Sequence, residues 1–408
     1  MSDLASNVGN PIRLGVLGLG RAFTLMLPTF LKDPRITLVA AFDPRDAAGK
    51  QFEKTFSGVA HASPDALCAD PNVEWIYIAT PHQMHAEHVA LAAKHGKSAI
   101  VEKPMAITID DCTRMIEACE RAGTRLIIGH SHSFNAPVLL ARRLIDSGNF
   151  GAVRFVHAMQ YTDFLYRPRR AEELNTSQGG GVVFSQAAHQ IDIVRLLAGG
   201  MTASVRATTG KWDASRPTEG AFTAMLNFEG GAFASVTYNG YGFYDTDILM
   251  DGIGELGRRK DPNAHHNTRM RLSEVVDEAH EAAMKAERNF GGRLFVPPDA
   301  AAPEAAQHFG PTLVSCEGGD LRLTPQGVEV FDKTGRRFIA ADISAVPRGE
   351  VIDELWDVAR DGKEPLHNGH WSRATLEVCL AILESSRRSV DIMPKLQVGY
   401  IPPPPDHA

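Results

Sequence analysis

Residues 12–23 constrain the fold more than any other stretch, because they join an apolar strand to a helix through two glycines. The predicted strand covers residues 12–17, the turn carries Gly18 and Gly20, and a helix begins near Arg21. Such a turn leaves backbone N–H groups unpaired at the positive end of a helix dipole, where a pyrophosphate can bind. The stretch therefore predicts a dinucleotide-binding strand–helix–strand unit.

The glycine motif departs from the fingerprint G-x-G-x-x-G/A, because Phe23 stands where a small residue is expected and Ala22 comes one place early. A second apolar stretch ends at Asp43, near the expected distance from the first glycine. A carboxylate there accepts hydrogen bonds from ribose hydroxyls and repels a 2′-phosphate, which favours NAD; Arg45 leaves NADP possible. The predicted cofactor site contains Gly18, Gly20, Arg21, Ala22, Phe23, Asp43 and Arg45. An ordinary glycine turn is the alternative.

Composition limits the classes of function that remain. The 408 residues are enough for two domains, and 44% hydrophobic with 22% charged residues is typical of a soluble globular protein. A net charge of −7 argues against a nucleic-acid or anionic-membrane partner. Five scattered cysteines without C-x-x-C favour reduced thiols in a cytoplasm. The first ten residues carry no signal-peptide pattern, and no apolar run is long enough to span a bilayer.

The first third of the chain alternates strands with helices, which predicts a doubly wound parallel sheet. Strands are predicted at residues 12–17, 36–42, 73–79, 98–101 and 126–129, and helices at 45–56, 82–95 and 108–121. We assign residues 1–134 to an NAD-binding Rossmann domain. In such sheets the ligand lies beyond the carboxyl ends of the strands.

The remainder, residues 135–408, predicts a second, α+β domain with an open and largely antiparallel sheet, which we expect to bind the substrate. Helices are predicted at 135–145 and 373–386, and strands at 153–161, 203–209, 221–228, 232–238, 313–316 and 328–331. Gly230-Gly231 is a hairpin signal. Residues 245–310, with a charged helical stretch at 272–287, interrupt the pattern as an insertion or lid, and the tail at 401–405 is proline-rich and extended.

Lys103 is the first candidate catalytic residue, because it follows a predicted strand end between Glu102 and Pro104. A lysine can accept a proton only when neutral, and both burial and the positive charge of an oxidised nicotinamide lower its pKa. Such a lysine could serve as a general base. The alternative is a surface lysine before a proline turn.

A second candidate site begins with a glycine run at residues 179–181, directly before a predicted helix. Ser185, His189 and Asp192 follow at spacings of four and three, so they share one helix face. His189 can exchange protons near neutral pH. A buried structural histidine is the alternative.

These motifs resemble those of the Gfo/Idh/MocA family of oxidoreductases. The matching features are Gly18-Leu-Gly20, Asp43, Thr80-Pro81-His82-Gln-Met-His85, Glu102-Lys103-Pro104 and Gly180-Gly181 followed by His189 and Asp192. The resemblance implies a Rossmann domain, an open sheet that mediates assembly into a homodimer or homotetramer, and hydride transfer with NAD(P). It places Lys103 and His189 in catalytic positions and adds Thr80, Pro81, His82, His85, Glu102 and Lys103 to the cofactor site.

Two positions depart from the family pattern. Ser185 stands where an aspartate commonly pairs with the histidine, and His82 stands where asparagine is common. A hydroxyl stabilises an imidazolium less than a carboxylate does, so proton transfer is expected to rest more on Lys103, with Ser185 and His189 completing the catalytic set.

Within the family, the run at residues 18–24, the Gly-His-Ser-His-Ser-Phe-Asn run at 129–135, the length and the insertion resemble those of bacterial enzymes that oxidise the cis-dihydrodiol of phthalate in aromatic catabolism. Three arginines next to a tyrosine suit a dicarboxylated cyclic diol, because arginine binds carboxylates through two parallel hydrogen bonds. The predicted substrate contacts are Lys103, His130, His132, Tyr166, Arg167, Arg169, Arg170 and His189. The histidines at strand ends lack acidic or cysteine ligands beside them, so we predict no metal site.

Other functions remain open at this stage. A sugar or cyclitol dehydrogenase would share the redox chemistry, and an NAD-using glycosidase would give no net NADH. A non-catalytic NAD-binding sensor is expected to lack Lys103 and His189, and this chain has both.

Overall fold

The computed structural model describes residues 10–263, 267–297 and 302–402. Two predictions, the missing signal-peptide pattern at the start of the chain and the extended proline-rich tail, concern residues that lie largely outside these ranges. The chain forms two compact units, each built from separate segments. Of the described residues, the N-terminal unit contains 10–130, 282–297, 302 and 344–373, and the C-terminal unit contains 131–263, 267–281, 303–343 and 374–402.

The N-terminal unit is built on a six-stranded sheet in which every described pairing is parallel. Its strands are β1 (Ile12–Leu17), β2 (Ile36–Phe42), β3 (Val59–Ala60), β4 (Trp75–Ile78), β5 (Ser98–Val101) and β6 (Leu126–Ile128). Their order is β3-β2-β1-β4-β5-β6, so the direction of winding reverses between β1 and β4. Ligands bind at such a reversal in open α/β sheets.

Helices connect the parallel strands, and local sequence explains their ends. They are α1 (Arg21–Lys32), α2 (Asp46–Phe56), α3 (Pro64–Ala69), α4 (His85–Lys94) and α5 (Ile109–Ala122). The Thr108 hydroxyl accepts a hydrogen bond from the Asp111 N–H and caps α5. Among the described residues, no helix is both long and apolar enough to cross a bilayer.

The C-terminal unit contains an eight-stranded sheet, antiparallel except where β10 runs parallel to β7. Its strands are β7 (Val153–Tyr161), β8 (Thr202–Gly210), β9 (Ala221–Phe228), β10 (Phe233–Asn239), β11 (Thr312–Cys316), β12 (Gly319–Thr324), β13 (Gly327–Asp332) and β14 (Gly335–Ala340). The order is β14-β13-β12-β11-β7-β10-β9-β8. One face is buried through residues such as Val156, Leu226 and Val236, while Met225, on the other face, is exposed.

The remaining helices are α6 (Ala136–Asp146), α7 (Ala188–Ala198), α8 (Asn267–Leu272), α9 (Glu278–Ala286), α10 (Gly349–Asp361) and α11 (Gly369–Arg388). The predicted fold class, a parallel Rossmann sheet plus a largely antiparallel open sheet, is confirmed. Of the charged stretch predicted to be helical at 272–287, residues 278–286 form α9, while residues 273–277 are turns and irregular structure.

Candidate active site

The glycine turn after β1 has the geometry that a pyrophosphate requires. Gly18 has φ +92°, and a Cβ there would lie 2.8 Å from the Ala79 carbonyl oxygen, so only glycine fits without strain. Gly20 caps α1 without a side-chain hydrogen bond, and a Cβ added to it would meet nothing within 4 Å. A glycine turn followed directly by a helix N-terminus, with open space at the Gly20 Cβ position, fits the phosphates of a dinucleotide.

Asp43 lies beside this turn, where its spacing predicted it. One carboxylate oxygen accepts from the Leu19 N–H at 2.8 Å, and the other accepts from the Arg45 N–H at 2.9 Å. The Arg45 guanidinium also donates to both oxygens, at 2.9 and 3.0 Å. Two ribose hydroxyls would have to replace these guanidinium contacts, because a carboxylate offers about four acceptor positions.

The Phe23 ring lies in the core, so a cofactor contact of this residue, which stays a prediction, would use its backbone. Its side chain is fully buried, with ring centroids 5.2 Å from Phe290 and 6.1 Å from Phe30. A large ring is tolerated at the position of the third small residue because an aromatic cluster receives it. Phe23 therefore supports the start of α1 from within the core of the N-terminal unit.

Residues 287–295 of the predicted insertion supply the other half of this cluster. The Phe290 N–H donates to the Thr24 hydroxyl at 3.0 Å, and its carbonyl oxygen accepts from Arg45 at 3.3 Å. Gly291 has φ +75°, and a Cβ there would lie 2.5 Å from the Ala48 Cα. The segment thus packs tightly against α1 and α2 beside the Asp43–Arg45 pair.

His85 is another predicted cofactor contact. It is fully buried, with Nε2 2.9 Å from the Thr80 carbonyl oxygen and Nδ1 3.2 Å from the carbonyl oxygens of Pro104 and Met105. Burial lowers the pKa of its imidazole to about 4, so the ring is neutral near pH 7. His85 therefore packs between the end of β4 and the loop that carries Lys103, where the neutral ring has one N–H and donates on one side only; its cofactor contact stays a prediction. The other predicted residues at this strand end, Thr80, Pro81 and His82, are all partly accessible.

Glu102 is also buried and supports the Lys103 loop from below. Its carboxylate accepts from the Tyr77 hydroxyl and from the His130 backbone N–H. Burial raises the pKa of Glu102 above its ordinary value, against the opposing effect of Tyr77. Lys103 itself is half-buried at the carboxyl end of β5. Glu102 and His130, both predicted ligand contacts, are thus buried and joined by a hydrogen bond next to the Lys103 loop.

In the C-terminal unit, the three residues on the predicted helix face have different surroundings. Residues 183–187 form a π-helical turn before α7. The Ser185 hydroxyl donates to the Gly181 carbonyl, back along its own helix. Asp192 is buried and accepts from the hydroxyls of Ser133 and Thr375. Asp192 thus joins neighbouring elements, and the catalytic roles of Ser185 and His189 stay predictions.

His189 lies in a cluster of rings. Its centroid is 4.6 Å from that of His132 and 5.1 Å from that of Phe309, and the His132 and Phe309 rings are 5.1 Å apart. The His132 N–H donates to His189 Nδ1 at 3.4 Å. Phe309 also stacks on Tyr238 at 6.0 Å. The structure therefore brings together two histidines that the sequence placed 57 residues apart.

Sequence reasoning missed Glu255, Phe309 and Asn135. Glu255 lies 3.5 Å from His132 Nε2, and its other oxygen lies 3.8 Å from the Arg167 guanidinium. Glu255 and Phe309 come from the insertion, where no periodic pattern indicated a fold. The His308 N–H donates to the Glu255 carbonyl at 3.4 Å, which brings Glu255 close to Phe309.

The predicted arginines have separate roles. Arg167 is 44% exposed at its side chain and lies 5.4 Å above the Phe164 ring. Burial acts to lower the pKa of Arg167, but the negative charge of Glu255 and other nearby acids outweighs it and leaves the pKa above its ordinary value. Arg169 stacks on Phe164 at 3.7 Å, and burial lowers its pKa to about 10. Only Arg167 is close to the His132–Glu255 pair.

Arg170 and Tyr166 are bound by neighbours on their own loop and beyond it. Arg170 pairs with Glu172 at 3.1 Å and Glu173 at 3.5 Å. The Tyr166 hydroxyl donates to Asp213 at 2.7 Å, and Arg269 lies 3.8 Å above its ring. Burial and this carboxylate raise the pKa of Tyr166. Among residues 10–263, 267–297 and 302–402, no three metal-binding side chains come together.

Comparison with known proteins defines the class. An oxidoreductase family with an NAD-binding Rossmann fold matches residues 12–130, and the GFO/IDH/MocA C-terminal domain matches residues 138–258. The chain is similar to 1-carboxy-3-chloro-3,4-dihydroxycyclohexa-1,5-diene dehydrogenase of Comamonas testosteroni, with 47% identity over 377 residues, 92% of this chain and 95% of that protein.

Solved structures agree on the fold. A protein of Bordetella bronchiseptica RB50 assigned as a dehydrogenase has 40% identity and a TM-score of 0.88, covering 94% of this chain and 100% of its own. An Agrobacterium radiobacter oxidoreductase solved with NAD⁺, L-tartaric acid and magnesium has 17% identity and a TM-score of 0.69, covering 94% and 98%, and shares the fold.

These matches and the glycine turn define an NAD-dependent oxidoreductase. The chain belongs to the Gfo/Idh/MocA family.

Proposed function

We propose that this enzyme oxidises a carboxylated cyclic cis-dihydrodiol to the dihydroxy arene with NAD. The observation that carries the proposal is the 47% identity, over nearly the whole length, to a Comamonas dehydrogenase of a carboxylated dihydroxycyclohexadiene. The phthalate dihydrodiol is the dicarboxylated member of this substrate class, and the chlorinated monocarboxylate is the other. Both fit the same chemistry, so the substrate panel must separate them.

The N-terminal unit is proposed to hold the cofactor and the C-terminal unit the substrate; the sequence-based boundary at 134/135 does not include the segments after residue 281 that join the N-terminal unit. When bound, NAD accepts a hydride from the carbon that bears a hydroxyl. Lys103 accepts the proton of that hydroxyl, and its neutral form is favoured by a half-buried position beside a positively charged ring. His189 holds the substrate oxygen through a hydrogen bond. The ketone that results tautomerises to the catechol, and the gain of aromaticity favours product.

Arg167 is the proposed contact for a substrate carboxylate. Its guanidinium is the predicted arginine nearest to His132 and Glu255, and part of it is open to solvent. Arginine binds a carboxylate through two parallel hydrogen bonds, which also orients the ring that carries it. The second carboxylate of a dicarboxylated substrate would bind Arg169, Tyr166 or Arg170. Each of these side chains would first have to leave the group that it now contacts.

The decisive experiment measures NADH absorbance with a panel of diols. It includes the phthalate cis-dihydrodiol, a monocarboxylated cis-dihydrodiol with and without chlorine, benzene cis-dihydrodiol and myo-inositol. We expect turnover of carboxylated diols, with kcat/KM at least about tenfold above the neutral diol, the effect of one charge-assisted contact. A preference for myo-inositol would contradict the proposal and favour a cyclitol dehydrogenase. Absence of net NADH with every diol would also contradict it.

We further propose that the chain assembles into a homodimer or homotetramer through the outer face of the eight-stranded sheet. That face carries exposed apolar side chains on five strands, namely Met225, Phe233, Leu313, Phe331 and Phe338. Exposed apolar side chains grouped on one face are typical of interaction sites.

A further inference from the structure

We infer that Glu255 is a positioning residue for the His132–His189 pair and the counter-ion that a substrate carboxylate must displace from Arg167. The inference rests on the proposed function for its substrate and on geometry for its residues. Ser185, on the same helix face as His189, turns its hydroxyl to the Gly181 carbonyl and brings no charge. Among the described contacts of the ring cluster, Glu255 supplies a carboxylate.

The first step concerns the protonation of His132. Asn135 Nδ2 lies 2.8 Å from the Gln307 carbonyl oxygen, which can only accept, so this amide atom is the nitrogen. The same nitrogen lies 2.9 Å from His132 Nδ1 and donates to it. Neutral His132 therefore carries its hydrogen on Nε2, the atom that lies 3.5 Å from Glu255.

The second step transfers this orientation to His189. The His132 backbone N–H donates to His189 Nδ1, so neutral His189 carries its hydrogen on Nε2. The two rings meet edge to face, and Phe309 packs against both. His189 is thus held as a hydrogen-bond donor through Nε2, and the proton-accepting role falls to Lys103. Asn135 contacts the Nδ1 atom of His132 and Glu255 lies next to its Nε2 atom, so both ring nitrogens have a neighbour that fixes the ring.

The third step concerns Arg167. The second oxygen of Glu255 lies 3.8 Å from the Arg167 guanidinium, while the first is directed at His132. A substrate carboxylate that binds Arg167 competes with Glu255 for the same cation. Once Glu255 has left Arg167, its carboxylate can accept a shorter hydrogen bond from His132 Nε2–H. This bond would fix the His132 ring, and with it the orientation of His189. Binding of the carboxylate and orientation of His189 are then coupled through one side chain.

The experiment compares Glu255→Ala and Glu255→Gln with the wild-type enzyme on a carboxylated dihydrodiol. The alanine variant should lose at least about tenfold in kcat, because His132 loses the neighbour of its Nε2 atom. Its KM should stay equal or fall, because Arg167 has lost its competing anion. The glutamine variant should recover part of kcat, since its amide oxygen can accept from His132 Nε2–H. An alanine variant with wild-type kcat, or with KM raised in parallel, would overturn the inference.

Two controls separate this inference from the proposed function. Glu274→Gln removes one exposed acid of the same inserted segment and should leave kcat and KM unchanged. Proton NMR of the resting enzyme provides a readout without substrate: the His132 Nε2–H resonance, assigned by its loss in His132→Gln, should shift or exchange away in Glu255→Ala. A resonance that does not respond overturns the inference. Failure of every diol with wild-type enzyme overturns the proposed function alone.

Discussion

Single residues near the carboxyl end of β5 are proposed to have distinct tasks, and Lys103 is the proposed general base. We expect Lys103→Ala to lower kcat by about 10²–10⁴, the usual contribution of a positioned base, while NAD still binds. NADH absorbance measures turnover, and cofactor fluorescence measures binding. Lys103→Arg is the matched control, because it keeps the charge but cannot become neutral. Normal turnover in either variant would remove Lys103 from the mechanism.

Glu102 supports the same loop at a cost in stability. Its pKa is raised by burial, so the folded state binds the proton more tightly than the unfolded state does. The free energy of unfolding therefore falls as pH rises from the ordinary value of 4.5 through the raised value, by about 1.4 kcal/mol for each pKa unit of difference.

Glu102→Gln removes this pH dependence, because an amide does not titrate in this range. Its oxygen can still accept from the Tyr77 hydroxyl. We expect a higher thermal midpoint than wild type at pH 8 and a converging midpoint below pH 4. Thermal unfolding followed by circular dichroism across this range measures the difference. Glu229→Gln, an exposed acid in the turn between β9 and β10, is the control and should shift the midpoint equally at every pH. Parallel curves for Glu102→Gln and wild type would contradict the assignment.

For single residues, the sequence predicted where a side chain lies better than it predicted which groups contact that side chain. Asp43 lies at the glycine turn, as its spacing predicted. No spacing rule indicated that the Arg45 guanidinium would donate hydrogen bonds to the same carboxylate. Likewise His85 matched a motif, but its burial depends on the carbonyls of Pro104 and Met105, which reach it through the tertiary fold. A side chain's role follows from its distant neighbours, which a local pattern does not contain.

Among the elements, those with strong local signals were predicted and those defined by pairing were not. The parallel strands are continuous apolar runs, and α5 has a threonine cap and a glycine end. The edge strand β14 is largely exposed and polar, so it carries no hydrophobic alternation, and pairing with β13 defines it. The two-residue β3 is too short for any pattern, and the amphipathic α10 was overlooked.

The inserted segment is the element whose role only the structure reveals. It contributes Phe290 to the N-terminal unit and, separately, Glu255 and Phe309 to the C-terminal unit. We expect Phe290→Ala to destabilise the N-terminal unit by about 3–5 kcal/mol, because it empties a fully buried position. Urea unfolding, following the transition that NAD shifts, measures the change.

Phe295→Ala is the graded control for this prediction. Its ring lies 5.4 Å from that of Phe290 but is only half-buried, so it should cost clearly less. A loss of under about 1 kcal/mol for Phe290→Ala would mean that residues 287–295 contribute little to the cofactor-binding unit.

On the scale of the whole molecule, the outer face of the eight-stranded sheet predicts self-association. Met225 and Phe233 are 55% and 41% exposed on neighbouring strands of that face. Burying such apolar surface favours association, and a lysine there would add a charge that the interface must desolvate. We therefore expect wild-type protein to sediment as a dimer or tetramer and the double variant Met225→Lys, Phe233→Lys to sediment as a smaller species.

The matched control is Leu31→Lys, a comparable change at an exposed apolar residue of the N-terminal unit. It should leave the sedimentation coefficient unchanged, because it lies on α1 and not on the sheet face. If the assembly forms through this face, dilution of wild type should also shift the equilibrium toward the species seen for the double variant. A wild-type protein that is monomeric at every concentration, or a double variant that still assembles, would exclude this face as the interface.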